Sequence, residues 1–128
     1  MIAVDSSSWI AFFSEERESS GDDTALVESA LADHQACLPP VVLTELLSAP
    51  DLPRPLAALL TALPRLEPLD GFWERAGRLR AKLIARKHRA RLADTLIAQS
   101  CIDHHVRLVT RDDDFRPFAR LGGLRLAL

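Results

Sequence analysis

Apolar residues along the chain fall into short runs that are separated by longer amphipathic segments. Short apolar runs rich in branched side chains are typical of strands buried on both faces. The runs predict strands at residues 2–4, 36–38, 66–69, 106–109 and 124–126.

Helical patterns fill the intervals between these runs. The pattern predicts helices at 9–13, from a cap at Asp22 or Asp23, from Pro39–Pro40 to near Pro50, and at 54–63, 70–88, 92–104 and 113–121. In the longest of them, Phe72, Ala76, Leu79 and Leu83 recur at spacings of four, three and four, which place them on one helix face. Gly122 and Gly123 are predicted to stop the last helix.

Strands that alternate with helices indicate crossover connections and a mainly parallel sheet. The predicted fold is therefore α/β, a three-layer α/β/α arrangement with the sheet in the middle. A chain of 128 residues has the size of one domain, so residues 1–128 are expected to form a single unit. In such sheets, ligands bind beyond the carboxyl ends of the strands.

Composition narrows the class of protein. Hydrophobic residues make up 48% and charged residues 27%, as in ordinary globular proteins. Cys37 and Cys101 lack metal-ligand spacing and are interpreted as reduced core thiols. The N-terminus has no basic segment leading into a long apolar stretch, and no run approaches the roughly 20 apolar residues of a membrane span. We expect a cytoplasmic protein without membrane contact.

Four acidic positions interrupt or close apolar segments. They are Asp5 after the first run, Glu45 in "PVVLTELLSAP", Asp94 in "RLADTLIAQS", and the triplet Asp112, Asp113 and Asp114 in "LVTRDDDF". Each has a structural explanation by itself, because Asp caps helices, acidic residues favour the first helical turn, and a single Glu often faces solvent.

Taken together, the acidic positions predict a cation site. Asp5 and the triplet follow strands whose carboxyl ends share one edge of the sheet, and a helix starting near that edge brings Asp94 close. Neighbouring carboxylates cannot all ionise without a counter-charge. Oxygen ligands without His or Cys favour Mg²⁺ or Mn²⁺ over zinc. The histidines, which show no zinc-site spacing and are interpreted as surface residues, are His34, His88, His104 and His105.

Half of all Lys and Arg residues lie between Arg75 and Arg91, in a chain of net charge −2. Spacings of three and four predict one basic stripe on the long helix, and it leads through Arg91 toward Asp94. The stripe consists of Arg75, Arg78, Lys82, Arg86 and Arg89. A solvated helix face explains such a stripe without function, whereas its position beside Asp94 favours binding of RNA phosphates.

The segments "VDSSSWI", "LTELL", "LADTLIAQS" and "LVTRDDDF", in this order, resemble the four motifs of PIN-domain ribonucleases, in particular VapC-type toxins. The resemblance covers nearly the whole chain. It implies a PIN-like fold and a Mg²⁺- or Mn²⁺-dependent endoribonuclease that leaves 5′ phosphates and 3′ hydroxyls. It also implies a small VapB-like antitoxin as partner and a homodimer, for which the helices around residues 9–13 and 46–60 offer apolar surface.

The resemblance also assigns roles to residues. It implies a catalytic set of Asp5, Glu45, Asp94 and Asp112, and a metal-ligand set of Asp5, Asp94, Asp112 and Asp114. Ser7 and Thr110 match hydroxyl positions that support the site. Asp113 is the least favoured ligand of the triplet.

Other classes of protein remain as alternatives. A phosphatase of the haloacid-dehalogenase type would use Asp5 as a nucleophile and place a second Asp two residues later, where this chain has Ser7. A receiver-like signalling domain would need an acidic pair near the first strand and a Lys after a late strand, and the sequence has neither. A PIN-like module that binds RNA or protein without cutting is the main alternative, and the full set of four acidic positions argues against it.

Overall fold

The computed structural model describes residues 1–14 and 21–128. In this part of the chain the sheet has three parallel strands, β1 (Ile2–Val4), β2 (Ala36–Cys37) and β3 (Arg107–Val109). Their order is β2-β1-β3, and Ala3 lies opposite Cys37 on one side and Leu108 on the other. The first strand in the chain is thus the central one.

The helices that surround the sheet follow the predicted order. They are α1 (Ser6–Phe13), α2 (Asp22–Ala32), α3 (Pro40–Leu47), α4 (Arg54–Ala62), α5 (Phe72–Ala85), α6 (Leu92–Asp103), a 3₁₀ helix (Asp113–Phe115) and α7 (Arg116–Gly122). Pro40 starts α3 in the first helical turn, where the missing N–H costs nothing. Gly123 ends α7 with a left-handed φ of 84°.

The core lies around the central strand. All three residues of β1 are buried. Because successive side chains of a strand point to opposite faces, both faces of the sheet are covered, which confirms the α/β fold with layers on both sides. Trp9 from α1, Ile97 from α6 and Phe115 are among the buried side chains of the same core cluster.

The predicted strands at 66–69 and 124–126 are wrong. A single parallel bridge between Leu38 and Arg65 precedes the first segment, and the second is reduced to a single parallel bridge between Leu108 and Leu126. Proline has no N–H for a ladder, and Pro64 and Pro68 limit the first of these pairings. These segments extend the edges of the sheet without forming strands.

Several helix boundaries also differ from the prediction, since α1 begins at Ser6 and not at residue 9, and α7 begins at Arg116 and not at residue 113. Helix α5 ends at Ala85, and Lys87 has a left-handed φ of 64°, so the helix does not reach residue 88. At the start of α2 the cap position is held by Gly21, and neither Asp22 nor Asp23 is the cap. Across residues 1–14 and 21–128, none of the helices combines the length and the apolar character that a membrane crossing requires.

Candidate metal centre

Asp5 lies where β1 passes into α1, at the edge of the sheet. Its backbone N–H donates to the carbonyl of Val109 on β3, at 2.9 Å. The side chain stands at the cap position of α1 but makes no capping hydrogen bond. Instead, Oδ2 accepts from the hydroxyls of Ser7 and Thr110, both at 2.9 Å. Two hydroxyl donors therefore hold this buried carboxylate in one orientation.

The loop after β3 is organised by its own polar groups. The backbone N–H of Asp112 donates to Thr110 Oγ1 at 3.0 Å, and that of Asp114 donates to Asp112 Oδ1 at 2.9 Å. The second contact caps the 3₁₀ helix that begins at Asp113. Because one oxygen of Asp112 is engaged in this way, its carboxylate has a defined direction.

Asp94, in the first turn of α6, meets this loop. One carboxylate oxygen from each of Asp94, Asp112 and Asp114 lies within 4.8 Å of the other two, and all three side chains are partly buried. Burial raises the pKa of Asp94 to about 6, and the charges of Asp112, Asp5 and Asp114 add to the effect. The cluster therefore carries negative charge that the surrounding groups do not compensate.

The residues present fit a hard divalent cation. Three carboxylates supply oxygen donors and excess negative charge, and the cluster contains no His or Cys. This donor set suits Mg²⁺ or Mn²⁺ better than zinc. Besides burial, repulsion from neighbouring carboxylates raises the pKa of Asp94, and a cation bound among Asp94, Asp112 and Asp114 would offset that repulsion.

The other predicted acidic residues have different positions. Asp5 is close enough to influence Asp94 but lies outside the three-carboxylate cluster. Glu45 is exposed on α3, where its Oε1 accepts from Ser6 Oγ at 2.9 Å. Asp113 is largely exposed and pairs with Arg116 at 3.1 Å. Of the triplet, Asp112 and Asp114 join the cluster and Asp113 does not.

The predicted basic stripe is divided by the structure. Arg75 forms an ion pair with Asp103 at 2.6 Å, and Lys82 Nζ donates to the carbonyl of Leu121 at 2.6 Å. These two cations hold helices together. Arg86 and Arg89 lie beyond the end of α5, so the expectation of one continuous helical stripe is wrong. The exposed cations of the predicted RNA-binding set are Arg78, Lys82, Arg86, Arg89 and Arg91, and of these Lys82 is already engaged with Leu121.

Sequence reasoning missed two residues that contact this edge of the sheet. Asp23 on α2 forms a bidentate ion pair with Arg111, which stands between Thr110 and Asp112. Hydrogen bonds from Arg111 hold the pKa of Asp23 below its usual value, against the opposing effect of burial. The two residues are 88 positions apart, and no spacing in the sequence signals such a pair.

The sequence matches the model of the PIN domain family over residues 2–121. Among solved structures, the fold resembles VapBC2 from Rickettsia felis bound to a promoter DNA fragment, with 21% identity over 98% of this chain and 97% of that chain and a TM-score of 0.73. DNA-bound VapBC from Salmonella typhimurium is 18% identical over 98% and 97% of the two chains, with a TM-score of 0.71.

VapBC-5 from Mycobacterium tuberculosis, a member of the VapBC family of toxin-antitoxin systems, is 21% identical over 98% and 95% of the chains, with a TM-score of 0.61. At these identities the likeness concerns the fold. No curated protein matches the chain.

Proposed function

The chain belongs to the PIN domain family, and from this we propose that it is a metal-dependent endoribonuclease, the toxin of a VapBC-like toxin–antitoxin pair. The observation that carries the proposal is the cluster of Asp94, Asp112 and Asp114 beside Asp5, at the carboxyl edge of a parallel sheet. Ligands bind at this edge in open α/β sheets. We propose one nuclease unit over residues 1–128.

The proposed reaction is hydrolysis of an RNA phosphodiester. The water oxygen forms a bond to phosphorus, the bond from phosphorus to the 3′ oxygen breaks, and the products carry a 5′ phosphate and a 3′ hydroxyl. Asp94, Asp112 and Asp114 would hold Mg²⁺ or Mn²⁺. The bound ion supplies positive charge that neutralises the phosphate and lowers the pKa of water.

The remaining residues of the site act on its geometry and charge. Ser7 and Thr110 orient Asp5 through their hydroxyls, which keeps its carboxylate in one direction beside the cluster. Glu45 extends the acidic surface from α3, and its contact with Ser6 ties it to the start of α1. In this proposal Asp5, Glu45, Asp94 and Asp112 form the catalytic set.

The proposal includes an antitoxin as partner and a cytoplasmic location. The similarity in fold to VapBC structures supports a small VapB-like protein as the inhibitor of this chain. Cys37 and Cys101 are free and buried, which agrees with a reducing compartment. The test is to add a candidate VapB-like antitoxin to the RNA cleavage assay, where formation of a stoichiometric complex should stop cleavage.

A homodimer is also proposed. The predicted apolar surfaces are only partly available, because Trp9, Leu46 and Leu60 belong to the core. Ile10 and Leu47 remain exposed on α1 and α3, which contact each other. Light scattering on the purified protein should give twice the 14.2 kDa mass of one chain.

The nuclease is tested on purified protein that is folded and free of antitoxin. Total RNA and a set of structured RNAs are incubated with Mg²⁺, with Mn²⁺ or with EDTA, using the wild type, Asp5→Asn and Asp113→Asn. We expect cleavage that requires metal, that produces 5′ phosphate ends, that is lost in Asp5→Asn and that persists in Asp113→Asn. Intact RNA under every condition would favour the module that binds without cutting.

A further inference from the structure

Asp23 and Arg111 join the first turn of α2 to the loop after β3. Arg111 Nε donates to Asp23 Oδ2 at 2.6 Å and Nη2 donates to Oδ1 at 2.9 Å, which makes the contact bidentate. Ser8 Oγ also donates to Oδ2, at 3.1 Å. An acidic side chain in the first turn of a helix is ordinarily stabilised by solvent and by the helix dipole, without a partner on another element. This carboxylate is 8% exposed and is directed instead at the loop.

Arg111 stands between two residues of the candidate metal centre. Its backbone N–H donates to Ser7 Oγ at 3.0 Å, on the side of the loop that faces Asp5. Its side chain reaches Asp23 on another element. The loop lies beyond the end of β3, where the ladder with β1 has stopped, so these side-chain contacts hold its backbone in place.

We propose that Asp23 is a positioning residue for the metal centre. Through Arg111 it holds the loop so that Asp112 and Asp114 stay at the distance from Asp94 that a divalent cation requires. The inference rests on the proposed function for the presence of the cation. The physical reason is that three carboxylates repel one another, and without an anchor the loop relaxes away from α6. Groups that orient metal ligands commonly change metal affinity by 10–100-fold when removed.

The chain offers a matched control for this ion pair. Asp103 and Arg75 form a second contact of the same kind, also at 2.6 Å, with an equally buried Asp and a half-exposed Arg. That pair joins α5 to the far end of α6 and touches neither the loop nor the cluster. Asp23→Asn and Asp103→Asn therefore remove equivalent ion pairs, one beside the loop and one away from it.

The experiment measures Mn²⁺ affinity by electron paramagnetic resonance for the wild type, Asp23→Asn, Asp103→Asn and Arg111→Gln. Arg111→Gln breaks the same ion pair at its more exposed residue. It replaces Asp23→Asn in the comparison if Asp23→Asn does not fold. We expect the Mn²⁺ dissociation constant to rise roughly tenfold in Asp23→Asn and Arg111→Gln and to stay within twofold in Asp103→Asn. RNA cleavage by Asp23→Asn and by Arg111→Gln should recover at saturating Mn²⁺.

Two results would overturn the inference. One is unchanged Mn²⁺ affinity in Asp23→Asn and Arg111→Gln with a lower melting temperature, which would show a purely structural ion pair. The other is the same loss of affinity in Asp103→Asn, which would show an effect of general destabilisation. A wild type that binds Mn²⁺ but cleaves no RNA would contradict the proposed nuclease, while the affinity ratios would still decide the role of Asp23.

Discussion

At the scale of single residues, two carboxylates at the same sheet edge have opposite surroundings. Asp5 is buried, and its Oδ2 accepts hydrogen bonds from the hydroxyls of Ser7 and Thr110. Asp94 has three acidic neighbours, and burial together with their charges raises its pKa to about 6. The site thus combines one well-satisfied carboxylate with a cluster that is strained electrostatically until a cation binds.

Asp94→Asn should therefore stabilise the metal-free protein and at the same time abolish Mn²⁺ binding. The substitution removes one of the crowded negative charges, and we expect the free energy of unfolding of the metal-free protein at pH 8 to rise by about 1–2 kcal/mol. Mn²⁺ binding should be lost. Urea unfolding in EDTA and a Mn²⁺ titration measure the two effects. Asp113→Asn is the control from the same triplet, and a similar stabilisation there would contradict this explanation.

The ion pair between Asp103 and Arg75 predicts a dependence of stability on pH. Burial tends to raise the pKa of Asp103, but the hydrogen bonds from Arg75 and Gln99 outweigh it and leave the pKa below its usual value. A group whose pKa is lower in the folded state stabilises the fold above its unfolded pKa, and this contribution is lost as pH falls through the folded pKa.

We accordingly expect Asp103→Asn to unfold at a lower urea concentration than the wild type at pH 7. The difference should shrink as the pH is lowered below about 4, where the unfolded Asp becomes protonated. Unfolding curves at pH 7, 5 and 3 provide the measurement. A difference that stays constant over this range would mean that the ionised carboxylate is not the stabilising form.

At the scale of elements, helix ends place the site residues. Pro40 starts α3, and Glu45 therefore lies within this helix. Helix α6 begins at Leu92, so Asp94 lies in its first turn. Helix patterns and caps are local properties of the sequence, which is why most helix boundaries could be predicted within a few residues. The end of α5 could not, because Lys87 adopts a left-handed conformation that its residue type does not signal.

Substitutions at two glycines, one inside a helix and one at a helix end, should change the stability of the protein in opposite directions. Gly77 lies inside α5 and Gly123 holds a left-handed φ of 84° after α7, and an added Cβ meets no atom within 4 Å at either position. Gly77→Ala should stabilise the protein by about 0.5–1 kcal/mol, because Ala is the better helix former. Gly123→Ala should destabilise it by about 1 kcal/mol, because Ala tolerates that φ poorly. Thermal unfolding of both variants is the test, and shifts of the same sign would contradict it.

At the scale of the whole molecule, the proposed nuclease would have to attract RNA, a polyanion, to an acidic site in a chain of net charge −2. The exposed cations near the start of α6 are one source of attraction in the described part of the chain, whereas Arg75 and Lys82 are engaged in contacts between helices. Contacts to phosphates carry no base specificity and depend strongly on salt.

Replacing Arg86 and Arg89 with Ala should weaken RNA binding about equally for all sequences. The slope of log affinity against log salt should fall by about 0.7 for each phosphate contact that is lost. Fluorescence anisotropy in the cleavage-deficient Asp94→Asn background measures both. Arg107→Ala is the control for each single substitution, Arg86→Ala and Arg89→Ala, because Arg107 is exposed at the amino end of β3, opposite the site edge. An equal loss in that variant would place the RNA elsewhere.

The sequence alone was sufficient to predict the α/β fold, the first strand and the acidic positions that follow the strands. The periodicity of apolar residues indicates which side chains are buried, and it is a local property of the sequence. The carboxyl ends of parallel strands lie at one edge of the sheet, which brings the acidic positions after the strands together. Short edge segments such as 66–69 could not be resolved in this way, because a single bridge and a strand have the same apolar pattern.

Only the tertiary structure decided which polar groups meet. It brings Asp94 within reach of Asp112 and Asp114, leaves Asp113 in solvent, and joins Asp23 to Arg111 across 88 residues. Hydrogen bonds and ion pairs require separations near 3 Å, and between residues far apart in the chain these separations depend on how whole elements pack. The sequence therefore identifies the candidate residues of the metal centre, and the packing of the elements determines which of them lie close together.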